Sequence, residues 1–199
     1  MRFIIKIIGP AIIIVGLFFV FKSNEIRQPA GVLAPNPPTQ KTISQNSNWI
    51  KDNYSFVPIA TFQATAKVLC ISSYNYDEMN EFSPFDIALG WGRMSDQKIT
   101  DQIDIKQQYR WYVWQTDHFP IPREEIEKNS CNIHIIPAND VIEDKIDNVL
   151  RGNIIQLSGK LVNVNKVGES WIWKSSTRRN DTGSGACEIL WVDEIKIIQ

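Results

Sequence analysis

Two patterns of apolar residues divide this chain. An unbroken apolar run covers residues 7–21, whereas beyond residue 56 the apolar positions come in short alternating stretches separated by polar turns. The first pattern is typical of a membrane-spanning helix, and the second is typical of half-buried β-strands. The sequence therefore predicts an N-terminal anchor followed by a β-rich domain.

The N-terminal run is the predicted membrane anchor. As a helix its fifteen residues reach about 22 Å, and adding Phe3–Ile5 brings it near the roughly 30 Å hydrocarbon core of a bilayer. Lys6 can extend its ammonium group to the headgroups. A cleaved signal peptide is the alternative, but the following FFVFKSNEIR contains no A-x-A cleavage pattern. Residues 1–23 are therefore predicted to remain as an anchor.

The distribution of basic residues predicts the orientation of the anchor. Arg2 and Lys6 precede the run, and Lys22 and Arg27 follow it with Glu25 between them. The positive-inside rule slightly favours a cytoplasmic N-terminus. The sequence thus predicts a single-pass protein of a bacterial inner membrane, with its main domain in the periplasm.

Residues 24–48 are predicted as a linker, and residues 49–199 as the folded domain. The linker is rich in Pro, Asn, Gln and Ser and lacks apolar periodicity. In the domain, alternating apolar positions predict a strand over residues 59–72. Further strands are predicted at 108–116, 131–138 and 186–198, with a hairpin at 153–175 that turns near Val167 and Gly168.

One helix is predicted over residues 139–153. Ile142 and Ile146 belong to an apolar stripe at helical spacing, Asp140 begins a D-x-x-E capping box, and Gly152 stands where a C-terminal cap belongs. Many short strands with one short helix predict a mainly β fold, a small antiparallel barrel or curled sheet of the OB type.

A glycine inside one predicted strand adds detail to this barrel. Residues 150–164 resemble the curved first strand of an OB-type barrel. The apolar phase slips across Gly159, which predicts a β-bulge at that position.

Charge and composition narrow the classes of partner. Beyond residue 27, 17 basic and 21 acidic residues give a net charge of −4, and no basic run exceeds Arg178-Arg179. Proteins that bind a phosphate backbone normally present a clustered positive face, so nucleic acid is not expected as a partner. Seven Trp, nine Phe and five Tyr supply either a compact core or, where exposed, a surface for a protein, peptide or glycan.

Cysteine and histidine are the first candidates for chemistry. Cys70, Cys131 and Cys187 leave the disulfide pairing open, and no C-x-x-C or other metal spacing occurs, so no metal or cofactor is predicted. His134 lies between two isoleucines of a predicted strand and faces away from their apolar side. It is a candidate base or ligand, and the alternative is a structural hydrogen bond.

The polar stretch SSTRRNDTGSGACE is a second candidate site. It contains Ser176, Arg179, Asp181, Cys187 and Glu188. An arginine can bind a carboxylate or phosphate through two parallel hydrogen bonds, and glycines allow main-chain amides to approach a ligand. The alternative is a long hairpin loop that needs these residues only to turn and to remain soluble.

A third candidate is the stretch EFSPFDIALGWGRMSD. Asp86 lies within its apolar run, and a buried carboxylate requires a compensating partner, for which Arg93 and Arg110 are available. Trp91 stands between two glycines that permit an unusual backbone position. A packed loop is the alternative.

These stretches carry a resemblance to other proteins. SPFDIALGWG, HIIPA and RNDTGSGACE resemble motifs of an uncharacterised group of short, membrane-anchored bacterial proteins, over roughly residues 80–195. The third motif places Arg179 rather than Arg178 in register. Because no function is established for that group, the resemblance implies no mechanism.

Two functions fit these features. The first is a membrane-tethered binding or assembly domain of the cell envelope. The second is an envelope hydrolase or transferase, in which His134 acts with Cys187 or Ser176, assisted by Arg179 and Asp181. The enzyme requires a nucleophile and a base that converge in one cleft, whereas a binding domain requires an exposed aromatic face.

Overall fold

The computed structural model describes residues 25–44, 47–178 and 186–199. The predicted anchor, residues 1–23, lies outside these ranges, as do Arg179 and Asp181. Within the described part of the chain, no helix is long and apolar enough to cross a membrane.

Strands make up the largest share of the described chain. The strands are β1 (Thr39–Thr42), β2 (Trp49–Lys51), β3 (Tyr54–Ser73), β4 (Phe85–Gly90), β5 (Asp104–Gln108), β6 (Trp111–Gln115), β7 (Ser130–Pro137), β8 (Ile154–Lys166), β9 (Ile172–Trp173) and β10 (Glu188–Ile197). The α-helices are α1 (Gln97–Thr100), α2 (Arg123–Lys128) and α3 (Asp140–Asp147), and 3-10 turns cover Glu78–Glu81 and Gly92–Ser95. The predicted mainly β fold is confirmed, and α1 and α2 are present besides the single helix expected, which is α3.

Five strands pair in a closed ring. In order around the ring, β3 pairs with β4, β4 with β7, β7 with β10, β10 with β8, and β8 again with β3. The prediction of a purely antiparallel sheet is wrong at one place, because β7 and β10 are parallel. The chain leaves β7 through α3, reverses along β8, and therefore returns in β10 in the same direction as β7.

The first strand of the ring is β3, and not the stretch 150–164 that the sequence suggested. β3 is 20 residues long and pairs with β8 from Tyr54 to Lys67 and with β4 from Lys67 to Ser73. Its two register shifts increase its curvature, and this curvature allows one strand to pair with both β8 and β4. The stretch that was predicted to come first forms β8, which is the fourth of the five ring strands in chain order.

The irregularity predicted at Gly159 is present, but the additional residue belongs to the partner strand. Gly159 lies opposite Val192, and the register of β10 shifts between Val192 and Glu194. A Cβ atom at Gly159 would lie 1.9 Å from the main-chain oxygen of Trp191. Glycine is therefore required because the two backbones approach each other closely.

Alternation along the ring strands separates an inner core from an outer face. The predicted inward set of β3 is buried within the ring, together with Ile133 and Ile135 of β7. The buried β3 residues are Phe62, Ala64, Ala66 and Val68. Ile142 and Ile146 of α3 pack against the same core. The helix is capped by the side chain of Asn139 rather than by the predicted Asp140, and it ends at Asp147, well before the predicted cap at Gly152.

A β-hairpin covers part of the outer face of the ring. β5 and β6 pair through a two-residue turn at Tyr109 and Arg110, both of which have positive φ angles (51° and 64°). The strand predicted over 108–116 is therefore interrupted at its start by this turn. Leu69 and Ala88 of the ring and Ile105 of the hairpin share one apolar cluster, which holds the hairpin in place.

Residues 25–44, within the segment predicted as a linker, lie against the domain. The main-chain nitrogen of Ile26 donates to the oxygen of Arg151, and β1 pairs with β3. The Gln28 main-chain nitrogen and the buried Lys67 ammonium group both donate to Oε1 of Gln97. Burial lowers the pKa of Lys67 to about 8. This part of the segment is thus fastened to the ring by hydrogen bonds.

The Gly159→Ala substitution tests the close approach of β8 and β10. We expect it to lower the free energy of unfolding by about 2–3 kcal/mol, because a methyl group must displace one of two paired backbones. Gln156→Ala is the control, because Gln156 is exposed on the same strand and its substitution leaves the backbone contact unchanged. Urea unfolding of both variants measures the difference, and equal losses would contradict the explanation.

Candidate functional site

A cleft of about 500 Å³ opens on the outer face of the ring, and we call it the His134 cleft. It lies where the β3–β4 connection, the β5–β6 turn and the β8–β10 connection meet beside β7. The residues that define it are Asp77, Arg110, Trp111, His134, Trp173 and Cys187.

The cleft brings together several residues that the sequence singled out. His134, Arg110 and Cys187 line it, and Asp86 lies fully buried behind His134. Arg179 and Asp181 lie outside the described residues. Four of the predicted site residues therefore lie close together in the structure, a point that the sequence could not decide.

Three other predicted residues lie elsewhere. Trp91 is buried and precedes a 3-10 turn away from the cleft, with its main-chain nitrogen bonded to the oxygen of Asn129. Ser176 is buried, and its Oγ accepts a hydrogen bond from the main-chain nitrogen of Arg178 at 3.0 Å. Glu188 is buried at the start of β10 and lines a neighbouring cleft.

Asp86 is the centre of a buried polar network. It lies directly across from His134 in the β4–β7 pair, and its Oδ1 is 2.8 Å from His134 Nδ1. Its Oδ2 accepts from the Tyr74 hydroxyl and from Asn132 Nδ2, both at 3.3 Å. Arg110 Nη1 lies 3.4 Å from Oδ1. The carboxylate is thus compensated on each side, as burial of a charge requires.

Arg110 connects the hairpin to the β3–β4 connection. Its Nε and Nη2 donate to the two carboxylate oxygens of Asp77 at 2.6 and 2.7 Å, and Nη2 also donates to the oxygen of Ser83. The guanidinium lies 4.3 Å from the centre of the Tyr74 ring. These contacts offset the cost of a left-handed backbone at Arg110, which is about 1–2 kcal/mol for a residue with a side chain.

The ion pair shifts the pKa values of both partners. Burial by itself would lower the pKa of Arg110, but the hydrogen bonds with Asp77 and the charge of Asp86 raise it. The hydrogen bonds from Arg110 lower the pKa of Asp77, against the opposing effect of burial. For Tyr74, burial and then the charge of Asp86 raise the pKa, so its hydroxyl remains a donor to Asp86.

His134 is held with one nitrogen engaged. Its neighbours Ile133 and Ile135 belong to the core of the ring, which confirms that His134 faces the opposite side. Nδ1 contacts Asp86, and the imidazole ring packs 4.5 Å from the ring of Trp173. Within the described residues, Nε2 makes no hydrogen bond, and His134 lines the cleft, so Asp86 orients a ring that borders the cleft.

A second cleft of about 550 Å³ adjoins the first, and we call it the β6 cleft. It shares Trp111 and Cys187 with the His134 cleft. The residues that define it are Trp111, Tyr112, Trp114, Arg123, Asn132 and Cys187. The two clefts thus meet at the half-exposed Trp111.

Cys187 lies at the junction of the clefts. Its Sγ is 3.8 Å from Asn132 Nδ2. No disulfide joins Cys187, Cys70 and Cys131, all of which the structure describes. Cys70 and Cys131 lie on β3 and β7, on either side of β4. Strands separated by another strand are about 9.5 Å apart, too far for a disulfide between them.

The charges around the His134 cleft nearly balance. Arg110 and Lys174 carry positive charge, and Asp77 and the buried Asp86 carry negative charge. Within the described ranges, no three His, Cys, Asp or Glu side chains are grouped so that they could hold a metal ion. The cleft therefore offers aromatic surfaces and hydrogen-bonding groups to a ligand rather than a strong net charge.

Sequence reasoning missed several residues of the site. Asp77, Tyr74 and Asn132 complete the polar network, and Trp173 packs against His134. Asn132 precedes His134 by two residues in the same strand, so alternation places both on the outer face and was a usable signal. Nothing in the sequence marked Asp77 as the partner of Arg110, because the two are brought together only by the fold.

Comparison with known proteins adds no relative to this geometry. No protein-family model, curated protein or solved structure matches the chain. The resemblance to uncharacterised membrane-anchored proteins therefore stays a prediction from three motifs.

The Asp86→Ala substitution tests the buried network. We expect it to lower the free energy of unfolding by about 3–5 kcal/mol, because removal of one partner leaves polar groups buried without compensation. Asp104→Ala is the matched control, since it removes an exposed carboxylate paired with Lys106, and such pairs contribute little. Urea unfolding compares the variants. A loss for Asp86→Ala no larger than that of the control would show that the network does not stabilise the fold.

Proposed function

We propose that the protein is a membrane-tethered binding module of the bacterial cell envelope, which holds a segment of a peptide or glycan chain in the His134 cleft. The observation that carries the proposal is the convergence of exposed and half-buried aromatic side chains on a rigid polar site. The N-terminal apolar run of residues 7–21 supports the membrane location.

The topology supports an OB-type barrel. A five-stranded OB-type barrel fits three features of the ring. The strands pair in the order β3-β4-β7-β10-β8, one pair is parallel, and a helix lies between β7 and β8, the third and fourth ring strands in chain order. Barrels of this type bind oligosaccharides and oligonucleotides on the face of the second and third strands, between the first–second and fourth–fifth connections. The His134 cleft occupies the corresponding position here.

The composition of the cleft favours an uncharged chain as the ligand. Tyr76, Tyr109 and Trp111 are 61%, 73% and 48% exposed around the cleft. Tyrosine and tryptophan bury much surface at little cost in side-chain entropy and recur at binding sites. Nearly balanced local charge and a net charge of −4 beyond residue 27 do not fit a nucleic acid backbone.

A hydrolase or transferase is the second candidate. The contact between His134 and Asp86 is the arrangement in which a carboxylate orients a histidine that acts as a base. Cys187 lines the same cleft and is the nucleophile that this mechanism would use. Ser176 is a weaker nucleophile candidate, because its hydroxyl bonds to the main chain of Arg178.

The Trp111→Ala substitution tests the binding function. Ligands are first selected with the full chain in detergent micelles, from a glycan array and a phage-displayed nonapeptide library. We expect the substitution to raise the Kd of the selected ligand about 30-fold, as for a tryptophan at the centre of an interface. Val141→Ala is the control, because Val141 is 63% exposed on α3, outside both clefts.

Unchanged affinity in Trp111→Ala would place the ligand elsewhere. Failure of the wild-type chain to select any peptide or glycan would contradict the binding function itself. Thermal unfolding of both variants checks that the comparison is made between folded proteins.

The enzyme candidate makes a separate prediction for His134→Gln. A glutamine amide can still donate to Asp86, so the melting temperature should remain close to that of the wild type. Hydrolysis of a panel of fluorogenic esters and peptides should fall at least about 100-fold if His134 is the base. A wild-type protein without hydrolytic activity on the panel, or a variant that keeps it, would count against an enzyme.

A further inference from the structure

The hairpin of β5 and β6 presents one edge to solvent. The two-residue turn makes Gln108 and Trp111 the first hydrogen-bonded pair, and the register then alternates along the hairpin. Val113 consequently bonds to β5, whereas the main-chain N–H and C=O groups of Tyr112 and Trp114 point away from it. β6 therefore has two residues whose main-chain groups face outward.

The other edge of the hairpin is occupied. Burial raises the pKa of the Cys70 thiol in β3, and the main chain of Gln107 in β5 opposes this shift, so this edge of the hairpin faces the ring. On the inner face, the Tyr112 hydroxyl donates to Ser130 Oγ at 3.1 Å, and Gln107 Nε2 donates to Asn132 Oδ1 at 2.6 Å. These contacts fix the hairpin with its β6 edge directed into the β6 cleft.

The edge of β6 is open within the part of the chain that the structure describes. The main-chain groups of Tyr112 and Trp114 have no hydrogen bond to another described residue. The β6 cleft, about 550 Å³ in volume, adjoins this edge. Open strand edges are templates for pairing with another extended chain, whereas most residues of the five ring strands have a strand on both sides.

We propose that β6 binds an extended peptide segment by strand addition, with the main chain of the peptide paired to Tyr112 and Trp114 and lying in the β6 cleft. This inference rests on the proposed function and names the class of chain ligand. The peptide continues past Trp111 into the His134 cleft, because the two clefts share Trp111 and Cys187.

The spacing of the open groups favours a peptide over a glycan. Tyr112 and Trp114 present donor and acceptor pairs about 6.8 Å apart, the two-residue repeat of an antiparallel strand. A peptide main chain carries donors and acceptors at the same repeat, whereas a glycan carries hydroxyl groups without this alternation. Recognition by strand addition depends on these main-chain groups, and the cleft lining, which includes the paired Arg123 and Glu127 of α2, adds side-chain contacts.

An N-methyl scan of a selected peptide tests strand addition. Peptides are selected from the nonapeptide library with the full chain in detergent micelles, and the tightest is resynthesised with one N-methyl group at each successive residue. We expect N-methylation to raise the Kd about tenfold or more at alternate residues, whose N–H groups face β6, and to change it little at the residues between them. The intermediate positions are the matched controls within one peptide.

Amide hydrogen exchange measured by NMR gives an independent readout on the protein. On addition of the peptide, the amides of Tyr112 and Trp114 should gain at least about tenfold protection. The amides of Trp111 and Val113 already bond to β5 and should change much less. Protection that is absent at Tyr112 and Trp114 would overturn strand addition.

The outcomes separate this inference from the proposed function. Strand addition alone is overturned if a peptide or glycan binds and loses affinity in Trp111→Ala, but N-methylation has no alternating effect on the Kd and the β6 amides gain no protection. Protection of β6 that rises with protein concentration in the absence of peptide assigns the edge to a second copy and also overturns the peptide. If the chain selects neither peptide nor glycan, the inference and the proposed function both fail.

Discussion

The buried carboxylate of Asp86 is the interaction on which the arrangement of the site depends. It faces outward from the ring and is nevertheless fully buried, because the hairpin and Arg110 cover it. Burial of a charge demands compensation, and here His134, Arg110 and two neutral donors provide it. Since Arg110 also binds Asp77, this requirement fixes the hairpin, the β3–β4 connection and β7 relative to one another.

Closure of the ring decides where the proposed recognition can occur. A closed ring satisfies the main-chain groups of its own strands and leaves its outer face and its connections for binding. The hairpin between β4 and β7 is not part of the ring and therefore keeps an open edge. The site thus combines a rigid polar face, which orients His134, with an adjacent strand edge and the exposed ring of Trp111.

Much of the local structure was predictable from the sequence. Alternation from Phe62 to Val68 identified the inward face of β3, and the position of His134 between Ile133 and Ile135 identified its outward direction. The irregularity at Gly159 was also recognised, but the assignment of its strand as the first of the ring was wrong. A two-residue period shows which side chains share a face, but it does not show which strand lies beside which.

The sequence by itself determined the β character of the domain, the presence of α3 and the faces of individual strands, because these follow from local periodicity. Only the tertiary structure decided that β7 and β10 run parallel, that Trp91 is buried, and that Arg110 turns the hairpin. It also brought Arg110 to Asp77 and Asp86, which stand 33 and 24 residues away. Such partners are chosen by the order in which strands pair, and that order depends on packing across the whole ring.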